Sequence, residues 1–137
     1  MKKIIYIFLA VMLASSCQKA DDNGDLGGFW KLLTIEEYAT ASTIDTREYK
    51  RFWSIQLDVL ATTSEDDNSY SYNYGGKGRF QHVGDSLFVQ MVTVSPKSDL
   101  QKVGLYNPYD ERFEVVLLNR NKMILRSEYA LLEFRKF

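Results

Sequence analysis

The sequence predicts an all-β fold, a single antiparallel up-and-down β-barrel of about eight strands. Three observations carry that prediction. Between residues 52 and 60, Trp53, Ile55, Leu57 and Val59 alternate with Ser54, Gln56 and Asp58, the period-two pattern of a strand with one buried face. Turn chemistry recurs at short intervals, at Val83-Gly84-Asp85-Ser86 and at Asn119-Arg120-Asn121, between runs rich in Val, Ile, Tyr and Phe. No window longer than about ten residues keeps a 3.6-residue period, so long helices are excluded. A length of 137 residues is one domain's worth.

The elements follow in order. Gly28–Glu37 forms a first strand that places Trp30 and Leu32 on one side. Residues 52–60 form the second. Residues 69–74 form a third, in which Tyr70, Tyr72 and Tyr74 alternate with small polar residues. Residues 78–82 and 87–94 flank the Gly84-Asp85 hairpin, because glycine supplies a positive φ cheaply. Residues 111–118 and 122–127 flank the Asn119 turn, and residues 130–136 close the series. Alternation does not choose the inward face of 87–94, since Leu87, Val89 and Met91 oppose Phe88, Val92 and Val94. Residues 96–109 hold both prolines and form the longest loop, and they and residues 38–48 have room for a short helical turn. A closed sheet of eight strands leaves no edges and an interior just wide enough for side chains or one small ligand.

The N-terminus reads as an address. Met1-Lys2-Lys3 is positive, Ile4 to Ala14 is an unbroken apolar run, and small residues follow, the layout of a secretory signal too short to span a bilayer. Leu13-Ala14-Ser15-Ser16-Cys17 resembles the lipobox of bacterial lipoproteins, with Ala14 where leucine is commoner. The resemblance implies removal of residues 1–16 and lipidation of Cys17, the only cysteine in the chain. The partner it implies is a membrane, held through two or three acyl chains, because one chain alone binds only marginally. Residues 17–27 are polar and acidic and read as a tether. Within them Gln18-Lys19-Ala20-Asp21-Asp22 resembles the signal that sends lipoproteins to the outer face of the outer membrane. The domain proper is then 28–137, and without residues 1–16 the chain keeps 15 basic and 18 acidic side chains, a net −3.

Composition narrows the function. With no basic surplus, nucleic acid is excluded as a partner. One Cys and one His make none of the usual zinc shells, and no metal or cofactor is expected. His82 is the sole imidazole, it sits beside a turn, and no Gly-x-Ser-x-Gly elbow accompanies it. Gly75-Gly76-Lys77-Gly78 lacks phosphate-loop spacing and reads as a flexible turn. Asp21-x-Asn23-x-Asp25 opens like a calcium loop, but Leu26 and Leu32 stand at its sixth and twelfth positions. Glu65-Asp66-Asp67-Asn68 reads as a solvated turn. No pair of carboxylates is placed for acid–base work, so no catalytic residues and no enzyme are expected.

Gly28-Phe29-Trp30 at the head of the first strand resembles the Gly-x-Trp signature of lipocalins. The order that follows is similar to the lipocalin-like domains of small bacterial surface lipoproteins: an apolar strand at 52–60, a Gly-Asp hairpin at 83–87 and a Leu-rich last strand ending in Lys at 131–136. The resemblance implies a barrel whose open end takes a small hydrophobic or amphipathic molecule. It also implies that Gly28 and Trp30 are structural, with Trp30 at the closed end beneath an arginine, Arg135 or else Arg126. Tyrosine and tryptophan pair an apolar face with a polar tip, so Trp53, Tyr70, Tyr72, Tyr74 and Tyr106, with Tyr109, are the candidate ligand-binding residues. Two functions fit. The first is a non-catalytic carrier with a cavity of about 300 Å³ or more. The second is a protein-interaction module with a filled barrel and an exposed aromatic patch.

Overall fold

The structure is a computed structural model, and it describes residues 23–65, 73–94 and 100–137. Cys17 and the segment before Asn23 lie outside those residues, as do Tyr70 and Tyr72.

Nine strands make one antiparallel sheet: β1 (Gly28–Glu37), β2 (Ser42–Asp45), β3 (Lys50–Gln56), β4 (Val59–Glu65), β5 (Asn73–Val83), β6 (Ser86–Val94), β7 (Glu111–Leu118), β8 (Lys122–Arg126) and β9 (Ala130–Lys136). Each pairs with its neighbour, and β9 returns to pair with β1, so the sheet closes. β2 and β3 both run along the same edge of β1, at Thr34–Glu37 and at Gly28–Lys31. They are two halves of one barrel strand, and the barrel has eight. Thr46 bridges the break between them: its backbone N–H donates to Leu33 O and its hydroxyl to Leu32 O, both at 2.8 Å.

The pattern of burial follows the pleat. Trp53 and Ile55 on β3, Leu87, Val89 and Met91 on β6, and Ala130, Leu132 and Phe134 on β9 all point inward. That settles β6, whose opposite face leaves Phe88 and Val92 exposed. On β1 the alternation slips because a bulge lies between Leu32 and Thr34, so Trp30 and Leu32 are followed inward by Ile35.

Residues 42–45, where the sequence has room for a short helical turn, form β2 instead, and two further boundaries differ from those the sequence predicts. The cleanest alternating run, 52–60, is not one strand but a hairpin, because the chain turns at Leu57-Asp58 between β3 and β4. The turn hides from pattern reading because it carries no Gly or Asn: Leu57 itself takes the positive φ of 53°. Gly75-Gly76-Lys77-Gly78 is not a turn but the interior of β5. A Cβ at Gly75 would stand 2.5 Å from Thr62 Oγ1 and 3.2 Å from Leu100, so its bare backbone makes room for a side chain arriving from the long loop. The Gly84-Asp85 and Asn119 turns lie as expected, and a 3₁₀ helix at Leu100–Val103 occupies the long loop.

Antiparallel topology gives the barrel two distinct ends. One collects the start of β1, the tight turns at 57–58, 84–85 and 119–121, and the end of β9. The other collects the connections at 38–41 and 127–129 and the segment 100–110.

Candidate functional site

At the first end the barrel is closed by hydrocarbon. Leu26, from a 3₁₀ turn at Gly24–Leu26, tucks under the strands, and Trp30 Nε1 donates to its carbonyl at 2.8 Å. Ile55, Leu60, Leu87, Phe113, Met123 and Phe134 fill the space beside it with essentially no exposure. The cation over Trp30 is Lys136, whose Nζ stands 4.2 Å from the ring centroid and donates to the carbonyls of Asp25 and Gly27. Burial pushes this ammonium's pKa below its ordinary value, opposed by the nearby Asp25 charge. Neither expected arginine takes that position. β9 points Ala130, Leu132 and Phe134 inward, so Lys136 shares their face and Arg135 faces outward and is exposed. Arg126 is exposed and pairs with Glu114 at 3.6 Å. Gly28 has φ 126° at the mouth of this cluster, against Lys136.

The other end is built differently. The buried polar residues Thr46, Arg51, Thr62, Glu111 and Ser127 all lie in this half. Residues 100–110 cross it and drop Leu100, Val103 and Leu105 into the interior. β3 holds the segment from one side: Trp53 Nε1 donates to Val103 O at 2.8 Å, and Arg51 Nη1 to Lys102 O at 3.1 Å. β6 and β7 hold it from the other. Met91 N–H donates to Pro108 O at 2.8 Å, and the Glu111 carboxylate accepts the backbone N–H groups of Tyr106 at 3.0 Å and Asn107 at 3.3 Å. Tyr106 stacks on Tyr129 with centroids 5.5 Å apart and donates its hydroxyl to Glu37 at 2.7 Å.

Two groups here are electrostatically unsettled. Burial pushes the Glu111 carboxyl up to about 7; the bonds from Asn107 and Tyr106 oppose the shift, and the charge of Glu128 adds to it. Thr62 Oγ1 is buried, in a residue only 1% exposed, and has no hydrogen-bond partner among the described residues. Leaving such a group unpaired costs about 1–3 kcal/mol. The Tyr129 phenol is raised as well, chiefly by its hydrogen bond to Glu128.

The candidate residues separate. Trp53 is fully buried, its ring packed against Phe113 and Phe134, and it meets the mouth only through its indole N–H. Tyr106 is half-buried in the crossing segment and Tyr109 is exposed beyond it. The backbone of Tyr74 lies in β5. Glu111, Thr62 and Arg51 escaped the reading of the sequence: Glu111 only began the 111–118 strand, and Arg51 and Thr62 fell outside the predicted strands. His82 is exposed beside the Gly84 turn. Among the described residues no group of three or more His, Cys, Asp or Glu is placed to hold a metal ion.

On the outer wall, β6 and β7 pair only over 86–89 and 111–114 and then part. Two open grooves flank Phe88 there. One, of about 480 Å³, is lined by Glu111, Arg112, Glu128 and Tyr129, and the other, of about 510 Å³, by Asp58, Arg79, Phe80 and Gln90.

Comparisons agree with this architecture. Residues 11–137 match a family described as a lipocalin-like domain. The crystal structure of a lipocalin-like protein from Bacteroides uniformis superposes with a TM-score of 0.64 at 20% identity, covering 83% of this chain and 100% of that one. An uncharacterized protein from Bacteroides eggerthii gives 0.61 at 19% identity, covering 81% and 98%. At those identities the likeness is one of fold. The search of curated proteins finds no match.

Proposed function

This chain belongs to the lipocalin-like domain family, and from that premise we propose that it is a lipid-anchored protein of the outer membrane. Its barrel holds a small hydrophobic or amphipathic molecule at the mouth, without chemical transformation. The observation that carries the reading is the asymmetry of burial. One half of the barrel is filled by hydrocarbon, whereas the mouth combines apolar walls with Arg51, Glu111 and the unsatisfied Thr62 hydroxyl. Sites for small molecules pair an apolar lining with a few convergent polar groups in this way. The segment 100–110 sits where such a molecule's tail would go, held by hydrogen bonds at 2.8–3.3 Å rather than by strand pairing. Occupancy of the mouth would then require it to move.

The anchor rests on Cys17 and the lipobox-like residues before it. Incorporation of labelled palmitate, abolished by Cys17→Ser, is the expected result. Native mass spectrometry of the chain isolated from its own membrane tests the ligand. A discrete adduct of a few hundred daltons, released by organic solvent, is expected, and a mass equal to the bare acylated chain counts against a carrier.

A further inference from the structure

We infer that the closed end of the barrel is a membrane-docking surface, resting on the bilayer through exposed apolar side chains. The inference rests on the anchored reading of Cys17 and adds to it an orientation. Five residues separate Cys17 from Asn23, the first residue the structure describes, so six Cα-to-Cα steps join them. Fully extended, they span at most about 20 Å. Asn23 is fixed to the closed end, because its side-chain amide donates to Leu57 O at 2.8 Å. An acylated Cys17 therefore keeps this end, and not the mouth, within reach of the lipid.

The surface that the tether brings down is unusually apolar. Phe29, Phe52 and Phe137 cluster on the outer wall, with centroids 4.6, 5.8 and 5.3 Å apart. Phe137 is 70% exposed and Phe29 38%. Leu57, Val59, Val83 and Leu117 stand exposed around the same rim. Among the described residues, the exposed large side chains toward the mouth are Tyr38, Tyr49 and Tyr109, with Ile44 and Val92.

Leu57 adds an independent sign. It is the first of two residues in a hairpin turn, at φ 53°, a position where glycine is preferred and a branched apolar side chain is strained. A residue that carries backbone strain in an exposed turn, where folding gains nothing from its side chain, points to a use for that side chain. Aromatic and aliphatic side chains at headgroup depth supply such a use. The turns at this end carry both signs, Asp58 and Asp85 against Arg120, so their charges give no net attraction and the contact proposed is the apolar one. Docked this way, the mouth points away from the membrane.

The test uses the chain from residue 17 onward carrying Cys17→Ser, which keeps every strand and every buried residue described above. It is floated with neutral phosphatidylcholine vesicles. Partial flotation that survives high salt is expected. Phe29→Ser with Phe137→Ser should lower the partition coefficient about tenfold, and Leu57→Asn alone about threefold. Ile44→Ser at the mouth should leave it unchanged. Leu57→Asn relieves strain and cannot lose binding by unfolding, so it guards the result against a folding artefact. Absence of flotation, or equal losses for the rim and mouth variants, overturns the docking surface. Palmitate labelling of the native chain is read separately: docking without acylation removes the anchor alone, and acylation without docking removes this inference alone.

Discussion

The two halves of this barrel solve the same packing problem with different materials. Around Trp30 the interior is hydrocarbon, and its single charge, Lys136, sits at the rim where two carbonyls and the indole face receive it. Around Glu111 the interior is completed by a crossing segment, and five buried polar residues replace apolar ones. The first half desolvates one ammonium, only in part, and gives it two carbonyls and an indole face in return. The second buries a carboxyl and an unpaired hydroxyl, and a folded protein retains such groups at sites of function more often than in its scaffold. The difference teaches where stability and adaptability are separated along one sheet.

The largest break in that contrast comes from Trp30→Ala. Removing a fully buried indole should cost about 3–5 kcal/mol, enough to unfold much of the chain, as read by chemical denaturation. A loss below about 1 kcal/mol would mean that the closed half is not the scaffold.

The next tests the mouth by pH. Glu111 titrates near 7 when folded and near 4.5 when unfolded. Between those values the folded state binds the extra proton, so its contribution is fully present at low pH and is lost as pH rises from about 4.5 to about 7. The slope should not exceed about 1.4 kcal/mol per pH unit, and Glu111→Gln should flatten it. Thermal melts across that range supply the check.

The smallest effect sharpens the rim. Lys136→Met should cost about 1 kcal/mol, the worth of a cation–π contact and hydrogen bonds to two carbonyls. Arg135→Ala, one residue away on the outer face, should cost less than about 0.5 kcal/mol. A reversal of that order would restore arginine to the position over Trp30.

That pair also shows what the sequence could express. Parity along β9 was legible in Ala130, Leu132 and Phe134, and it alone places Lys136 on the inward face and Arg135 outside. The Gly84-Asp85 and Asn119 hairpins were legible too, because their turn residues declare themselves. The turn at Leu57 did not, since a leucine at positive φ leaves the apolar alternation unbroken on either side of it. The β1 bulge blurred its strand for a similar reason, shifting the inward set from Leu32 to Ile35. The crossing segment was the least legible part. Leu100, Val103 and Leu105 follow no strand or long-helix period, and the burial of Leu100 depends on space left by Gly75 on a strand distant in sequence. Glu111 and Thr62 gained their character only from that closure.

Native-state hydrogen exchange, on the chain alone and with oleate as probe, tests the division of the barrel most directly. Alone, the amides of Leu105, Tyr106 and Asn107 should exchange through local opening far easier than global unfolding, while those of Trp30, Phe113 and Phe134 wait for the whole domain to open. Oleate should alter exchange at the first set and leave the second unchanged. Uniform protection across both halves, or a change confined to the Trp30 end, would contradict the account.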